Sequence, residues 1–540
     1  MPTGAETLIN CLEKEGVQVL FGYPGATICP FYDALSHSSI QHILVRQEQN
    51  AGHSASGYAR MTGRAGVCVS TSGPGALNLL PAIATAYMDS IPLVCITGQV
   101  DRHLLGRDAF QEADITGAAQ SFTKYSFLVT EASDIPRVVK EAFYIATTGR
   151  PGPVLIDLPV DVQKEALPQL PYPETVELIT YRPSDKGNGN QIKRVVTAIQ
   201  NARRPLLCVG GGVFLSGCQK ELRQFVEAYS LPVVSTLMGV SVFPLSHPLY
   251  FGMLGMHGAS AANEALAKAD LLVVIGARVG DRAILAPGAV ETTTTVIHID
   301  IDPAEIGKNM GAHIPLVGNA RTILHQLSGK LAPLELGPWL SQLENRRAES
   351  AAPSAGSAAD RVDPKALLHI LNRQLEEDAV IVADVGQNQL WAARSFDLAK
   401  GRFLTSGGMG TMGYAIPAAV GAKLAKPGQQ VVAVCGDGSF QMSSMELATM
   451  AAYHIPIKVL LFINGSLGLV REIQQNQYGG NVTGVDLTGS PDFTQLACAY
   501  GMSAQLLSSA EDMEEAVENF LSTKGPCLLA CLVDPDEPSL

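Results

Sequence analysis

Residues 430–464 read QVVAVCGDGSFQMSSMELATMAAYHIPIKVLLFIN. Gln430 to Cys435 and Lys458 to Ile463 are short apolar runs, the pattern of strands buried on both faces of a parallel sheet. Between them lie a Gly436-Asp437-Gly438 turn, a helical stretch and Ile455-Pro456. A helical crossover returns the chain in the same direction, so the two strand ends lie side by side. Gly436 and Gly438 let the backbone approach a phosphate closely, Asp437 supplies a hard anionic oxygen, and Asn464 follows Asp437 by 27 residues at the end of the next strand. An octahedral Mg²⁺ beside a diphosphate needs a few further oxygen ligands, which Asp437, Asn464 and a backbone carbonyl near Ser466 can provide. Either turn alone reads more simply as a loop; the two at this spacing point to one shared site.

The same plan occurs near the other end of the chain. Ala65 to Gly98 runs as a Val-rich strand, a Gly73-Pro74-Gly75 turn, an Ala-rich helix, Ile91-Pro92 and a second strand. Agreement of turn, helix length and Ile-Pro identifies two copies of one supersecondary unit. Short Val/Ile/Leu runs alternate with Ala-rich segments throughout, which predicts a doubly wound α/β chain. Two composition breaks, Pro168–Asn190 and Ala348–Asp363, divide it into expected domains 1–165, 190–335 and 360–540, the second break having the small-residue character of an exposed linker.

Composition narrows the function. In 540 residues, 46% are apolar and only 16% charged, against a typical ~25%, which predicts that part of the surface is buried again between subunits. The excess of 51 Asp+Glu over 38 Lys+Arg argues against a general nucleic-acid or acidic-membrane binder. The ten cysteines form no CxxC pair, so neither a disulfide framework nor a thiolate zinc site is expected, and a reducing cytoplasm is the expected home. The start lacks a basic leader with an apolar core, and the longest apolar runs are strand-sized; a soluble protein is expected.

The Gly-Asp-Gly…Asn signature, with its echoed partner domain, resembles the thiamine diphosphate enzymes, which pair a pyrimidine-binding domain with a similar diphosphate-binding domain across a dimer interface. The resemblance singles out Glu48, in VRQEQNAGHSASGYAR, as the carboxyl that hydrogen-bonds the aminopyrimidine and moves its proton. Taken alone, Glu48 would be one solvated carboxylate at a helix start. Further stretches, FGYPGATICPFYDAL (21–35), DAFQEAD (108–114), GRPGPVLIDLPVDVQ (149–163), GMLGMHG (252–258), HIDIDPAE (298–305), SGGMGTMG (406–413) and GDGSFQM (436–442), are similar to the catalytic-subunit family of acetohydroxyacid (acetolactate) synthase, almost from end to end.

That resemblance implies three roles for the domains: pyrimidine binding, a Rossmann-like middle domain holding FAD without redox duty, and diphosphate and Mg²⁺ binding. It implies that Gly410 and Met412 hold the aminopyrimidine, with Ala26, Pro74 and Asn78 on the pyrimidine side. On the diphosphate side it implies Gly386, Gln387 and Asn388, then Gly438 and Ser439, then Gly468 and Leu469. Around the reacting carbon it places Phe110 and Gln111 from the partner subunit, with Lys124 in the same region, and Arg282 near the second substrate's carboxylate, which a guanidinium grips in a bidentate fork. For FAD it implies Gly210, Gly211 and Gly212 near the pyrophosphate, Arg150 on phosphate and Asp300 on a ribose hydroxyl. Thr236, Leu237, Met256, Gly276 and Arg278 complete that pocket.

The implied reaction condenses two 2-oxo acids with loss of CO₂, pyruvate giving 2-acetolactate for branched-chain amino acid synthesis. Another thiamine diphosphate lyase or decarboxylase, a flavin oxidase, or a binding protein that has kept the fold are the competing readings. A homodimer or homotetramer is implied; the sequence does not decide between them or whether a small regulatory subunit joins. The sequence departs from the family at Ile473, where many members carry a tryptophan favouring 2-oxobutanoate, at Val160 in place of a common lysine, at Gly280 and Asn319 in place of aspartates of the middle domain, and at Leu540, where the chain stops without the family's usual tail.

Overall fold

The computed structural model describes residues 1–350 and 361–540. Most of the expected linker Ala348–Asp363, and with it the expected start of the third domain at 360, lies outside the described residues.

Three six-stranded sheets carry the fold. The first contains β1 (Val19–Tyr23), β2 (Gln41–Leu44), β3 (Gly66–Ser70), β4 (Leu93–Gln99), β5 (Tyr125–Leu128) and β6 (Pro153–Pro159), in the order β2-β1-β3-β4-β6-β5. The second contains β7 (Pro205–Val209), β8 (Val233–Ser235), β9 (Tyr250–Met253), β10 (Leu271–Ile275), β11 (Thr295–Asp300) and β12 (Ile314–Val317), in the order β12-β11-β10-β7-β8-β9. The third contains β13 (Val380–Ala383), β14 (Arg402–Thr405), β15 (Val431–Gly436), β16 (Lys458–Ile463), β17 (Ser503–Leu507) and β18 (Cys527–Leu532), in the order β14-β13-β15-β16-β18-β17. Every strand pairing is parallel, for example Val434 with Leu460 and Val69 with Ile96. First and third sheets therefore share one strand order, as the echoed segments predict, and the middle sheet has the order of a dinucleotide-binding fold. Central strands such as β4 and β6 are buried at every position, which is why they read as unbroken apolar runs.

The first and third domains join through two helices. Glu48–Thr62 and Ala415–Ala425 present small residues to each other, and a Cβ added to Gly57 would collide with the Ala418 carbonyl, one on Gly421 with the Ser54 carbonyl. Only glycine permits that approach. Buried residues of both domains, including Ala51, Ala55, Ala418, Ala419, Val382 and Ala433, form one continuous apolar cluster around this contact. Segment 168–188 is not a free connector: Tyr172 Oη donates to Glu15 (2.7 Å) and Tyr181 Oη to the Thr148 carbonyl (2.6 Å). All ten cysteines are free, and among the described residues no helix is long and apolar enough to cross a membrane.

Candidate active site

Parallel sheets open a crevice where the strand order reverses, and in the third sheet β13 and β15 flank that point. Asp437 sits there as the first residue of a short helix, 2% exposed. Its Oδ2 accepts from Gly465 N (2.8 Å) and Oδ1 from Gly438 N (2.9 Å). Burial pushes its carboxyl up to about 6, against the pull of those N–H groups, and no cationic side chain pairs with it among the described residues. Asn464 Oδ1 accepts from Ser466 N at 3.0 Å, and the Ser466 hydroxyl is buried without a partner. A sunken, unpaired carboxylate beside an amide oxygen and an unsatisfied hydroxyl fits a hard cation, which would remove the cost of burying the charge. The Ser466 carbonyl accepts from Gly468 N (2.9 Å).

Around this point stand the other residues expected on the diphosphate side. Gly386 (φ +142°) starts the Gln387–Ser395 helix, and a Cβ there would meet Asn388 Oδ1 at 2.6 Å. Asn388 donates to the Asp384 and Val434 carbonyls (2.8 and 3.1 Å), stitching the ends of β13 and β15 together. Ser439 exchanges hydrogen bonds with the Gly436 backbone and caps its own helix, while Gly468 and Leu469 open the Gly468–Gln477 helix.

The SGGMGTMG loop is held from both ends. Gly410 takes φ +63°, a Cβ on Gly438 would lie 3.5 Å from Met412 Cε, and Asp384 accepts from Gly413 N (2.9 Å) and Ala415 N (2.8 Å). From the first domain, Asp89 accepts from Gly408 N (2.7 Å) and Gly407 N (3.3 Å), while Arg60 pairs with Asp89 (2.9 Å) and donates to the Thr405 carbonyl (2.7 Å). Thr85 and Thr411 hydroxyls meet at 2.7 Å. Sequence reading missed Arg60, Thr85, Asp89 and Asp384; the available signal was an aspartate directly after an apolar strand (IVAD) or helix (ATAYMD), where solvent is scarce.

The second half of the site lies in the first domain. Glu48 opens its helix, and Asn78 Nδ2 donates to Glu48 Oε2 at 3.0 Å. Pro74–Asn78 forms a short helix after Gly73 (φ +57°), and a Cβ on Gly75 would lie 3.2 Å from Glu48 Oε1. Gly73 also abuts the Gln111 backbone, Gln111 itself takes φ +59°, and the neighbouring Phe110 is 86% exposed. Ala26 begins a 3₁₀ turn at the end of β1 on the same edge of the sheet. Lys124 is not brought to this group. Its Nζ donates to the Ile145 carbonyl, the Thr148 carbonyl (2.8 Å) and Tyr181 Oη (2.8 Å), closing the end of helix Ile135–Thr147 onto the interdomain segment. Burial lowers its ammonium to about 8.

The two domains meet along one helix pair, and the third domain also touches the start of the Glu48 helix, where Glu446 accepts from Arg46 N (2.8 Å) and Asn50 Nδ2 (2.9 Å). Along the Glu48 helix, Ser54, Gly57 and Arg60 meet Gly421, Ala418 and Thr405 in turn, so the helices are antiparallel. The Thr405–Gly408 part of the loop therefore adjoins the end of the Glu48 helix near Arg60, about 18 Å along the axis from Glu48 at 1.5 Å per residue.

In the middle sheet, Gly210 and Gly276 end β7 and β10 at its switch point; Gly210 N donates to the Ile275 carbonyl and Gly212 N to the Gly276 carbonyl (3.0 and 2.9 Å). A Cβ on Gly212 would meet Gly276 Cα at 2.6 Å, whereas Gly211 has more room. Thr236 and Leu237 follow β8, and Asp300 ends β11, its carboxyl pushed up to about 6 by burial. Arg278 Nη2 would lie 3.1 Å from a Cβ on Gly408. Arg282 Nη1 contacts Met256 Sδ (3.7 Å) with its side chain 73% exposed. Arg150 is engaged on two of its nitrogens: Nη1 by Glu305 (2.7 Å) and Asp302 (3.4 Å), and Nε by the Ser90 hydroxyl (2.8 Å). At Gly280 a side chain would meet nothing within 4 Å, and Asn319 caps helix Ala320–Leu327 through Arg321 N.

This arrangement agrees with three matches to known domains. Residues 2–118 match the thiamine pyrophosphate enzyme N-terminal TPP binding domain, 192–327 the central domain and 384–531 the C-terminal TPP binding domain. Fold and site thus define a thiamine pyrophosphate enzyme. The chain is 45% identical to the probable acetolactate synthase large subunit of Methanocaldococcus jannaschii, covering 99% of this chain and 92% of that protein. It is 44% identical to the acetolactate synthase large subunit of Corynebacterium glutamicum (96% and 84% covered) and 43% identical to the acetolactate synthase isozyme 3 large subunit of Escherichia coli K12 (96% and 92% covered). The chain belongs to the acetolactate synthase large-subunit family.

Proposed function

We propose that this chain makes 2-acetolactate from two molecules of pyruvate, at a site completed by the Glu48 half of one subunit and the Asp437 half of another. The observation that carries the reading is the buried, unpaired Asp437 carboxylate beside Asn464 at a strand-order reversal, in a chain whose other thiamine-type half holds Glu48 on Asn78. When bound, thiamine diphosphate supplies the electron sink that lets a 2-oxo acid lose CO₂. Asp437, Asn464 and the Ser466 region would hold Mg²⁺ and through it the diphosphate. Glu48 Oε2, oriented by Asn78, holds and moves a proton at the aminopyrimidine ring nitrogen. Met412, fixed through Asp384 and Asp89, props the pyrimidine; Phe110 and Gln111 shield the reacting carbon from water. Arg282, exposed and able to swing, binds the carboxylate of the second 2-oxo acid.

FAD would sit at Gly210–Gly212 and Gly276 without redox duty, at an affinity weakened by the missing acidic side chain at Gly280. A homodimer is the smallest assembly that unites both halves. The relatives' printed name, large subunit, supports a smaller companion chain, and ten free cysteines support a reducing, cytoplasmic setting. The test is incubation with pyruvate, thiamine diphosphate and Mg²⁺: acetolactate supports the reading, free aldehyde favours a simple decarboxylase, and no CO₂ release refutes both.

A further inference from the structure

We propose that the backbone carbonyl of Glu537 sets which end of the Asn464 amide faces the cation, acting through Gln387 as a positioning residue. The inference rests on the cation-site reading above. An asparagine amide has an oxygen and an NH₂ of nearly the same shape, only the oxygen ligates a cation, and its partners decide which end points where. A backbone carbonyl can only accept. Glu537 O accepts from Gln387 Nε2 at 2.8 Å, with Glu472 Oε2 a longer second acceptor at 3.5 Å, which turns Gln387 Oε1 toward Asn464. Asn464 Nδ2 then donates to Gln387 Oε1 at 3.0 Å, leaving Asn464 Oδ1 on the Ser466 N side, next to Asp437's partner Gly465. The polarity of the relay runs one way from an acceptor that cannot be reversed, and the Ser466 N–H, which can only donate, favours the same end of Asn464.

Two further observations support it. A Cβ on Gly468 would collide with Gln387 Oε1 and lie 2.7 Å from Asn464 Nδ2, so glycine there keeps the amide pair in contact. The segment bearing Glu537 is also anchored on both neighbouring helices: Trp391 Nε1 donates to the Pro538 carbonyl (2.9 Å), the buried Ser539 hydroxyl to Glu472 (3.0 Å), and Arg471 pairs with Asp536 (2.7 Å). Orienting partners of metal ligands typically matter by 10–100-fold in metal affinity.

The experiment is calorimetric titration of Mg²⁺ into the full-length chain saturated with thiamine diphosphate, with melting temperature followed in parallel. Gln387→Leu removes the relay, and Trp391→Phe with Ser539→Ala loosens the Glu537 carbonyl without touching the cation site. Both should raise the Mg²⁺ Kd, Gln387→Leu by about tenfold or more. In a background carrying Asn464→Asp, which has no N–H to misplace and only oxygens to offer the cation, neither should raise it. A general packing defect would persist in that background, so persistence overturns the relay, as does a Gln387→Leu Kd within twofold of the parent. If Gln387→Leu does not fold, the Trp391/Ser539 pair decides alone. Absence of Mg²⁺ binding by the unaltered chain would instead overturn the cation site itself.

Discussion

The Ser54 carbonyl oxygen and Gly421 are in backbone contact, with no room for a side chain between them. This closeness fixes the Glu48 and Ala415 helices as an antiparallel pair. In the proposed function a second subunit closes the cofactor site, and two-fold pairing would complete two sites at once.

Glu48→Gln keeps size and the Asn78 contact but removes the acid/base carboxyl. Turnover should fall ~10²–10⁴-fold with thiamine diphosphate still bound. Near-normal turnover, measured as acetolactate per minute at saturating cofactor, would show that Glu48 is not the proton-transfer group.

FAD should stabilise without cycling. Binding to the folded state alone adds roughly 2.7 kcal/mol at a hundredfold excess over Kd, so thermal unfolding should shift upward with FAD while pyruvate leaves the bound flavin unbleached. No shift at saturating FAD would mark Gly280 and Asn319 as signs of a lost flavin site.

Lys124→Met tests the structural assignment of that lysine. Burial holds the folded-state ammonium at about 8 against an ordinary 10.5, so between those values the unfolded chain carries a proton that the folded chain has released. Stability of the parent relative to the variant should therefore rise with pH across that window and be level below it. Denaturant midpoints at pH 7, 8, 9 and 10 check this; a level difference throughout, with turnover lost in the variant, would return Lys124 to the active site.

How far the sequence could be read follows from where its information is local. The Gly436–Asn464 stretch and its echo at Ala65–Gly98 carry strand, turn and crossover in order, and the shared strand order of the first and third sheets follows from them. Glu48 was reachable only through the family resemblance, because nothing in its own stretch distinguishes it from a solvated helix start. The partners of Lys124 and Arg150 were not legible because tertiary packing sets them: Lys124 closes on residues 21, 24 and 57 positions away, and Arg150 on Glu305, 155 positions away. Asp89 and Asp384 escaped notice for the same reason, since their work is to accept backbone N–H groups of a loop, 318 positions away in the case of Gly407.

Acceptor choice should follow Ile473, which is 36% exposed on the Gly468 helix. A tryptophan offers a broader face for the extra methylene of 2-oxobutanoate, and one methylene in a pocket is worth ~1–3 kcal/mol, or ~10–200-fold in relative rate. Given pyruvate and 2-oxobutanoate together, the parent should form mainly acetolactate, and Ile473→Trp should shift the product toward acetohydroxybutyrate. A strong parental preference for 2-oxobutanoate would contradict the argument.

The most direct test of a site shared between chains is complementation. Glu48→Gln and Asp437→Asn, each expected to be strongly impaired alone, are co-expressed on separately tagged chains, and acetolactate formation from pyruvate is measured on the purified mixture. Random pairing makes about half the dimers mixed, each with one intact site and one doubly altered site, so about a quarter of parental activity should return. Activity no higher than that of either variant alone, in a mixture shown by its tags to contain mixed dimers, would place Glu48 and Asp437 of a single chain in the same site and contradict the account.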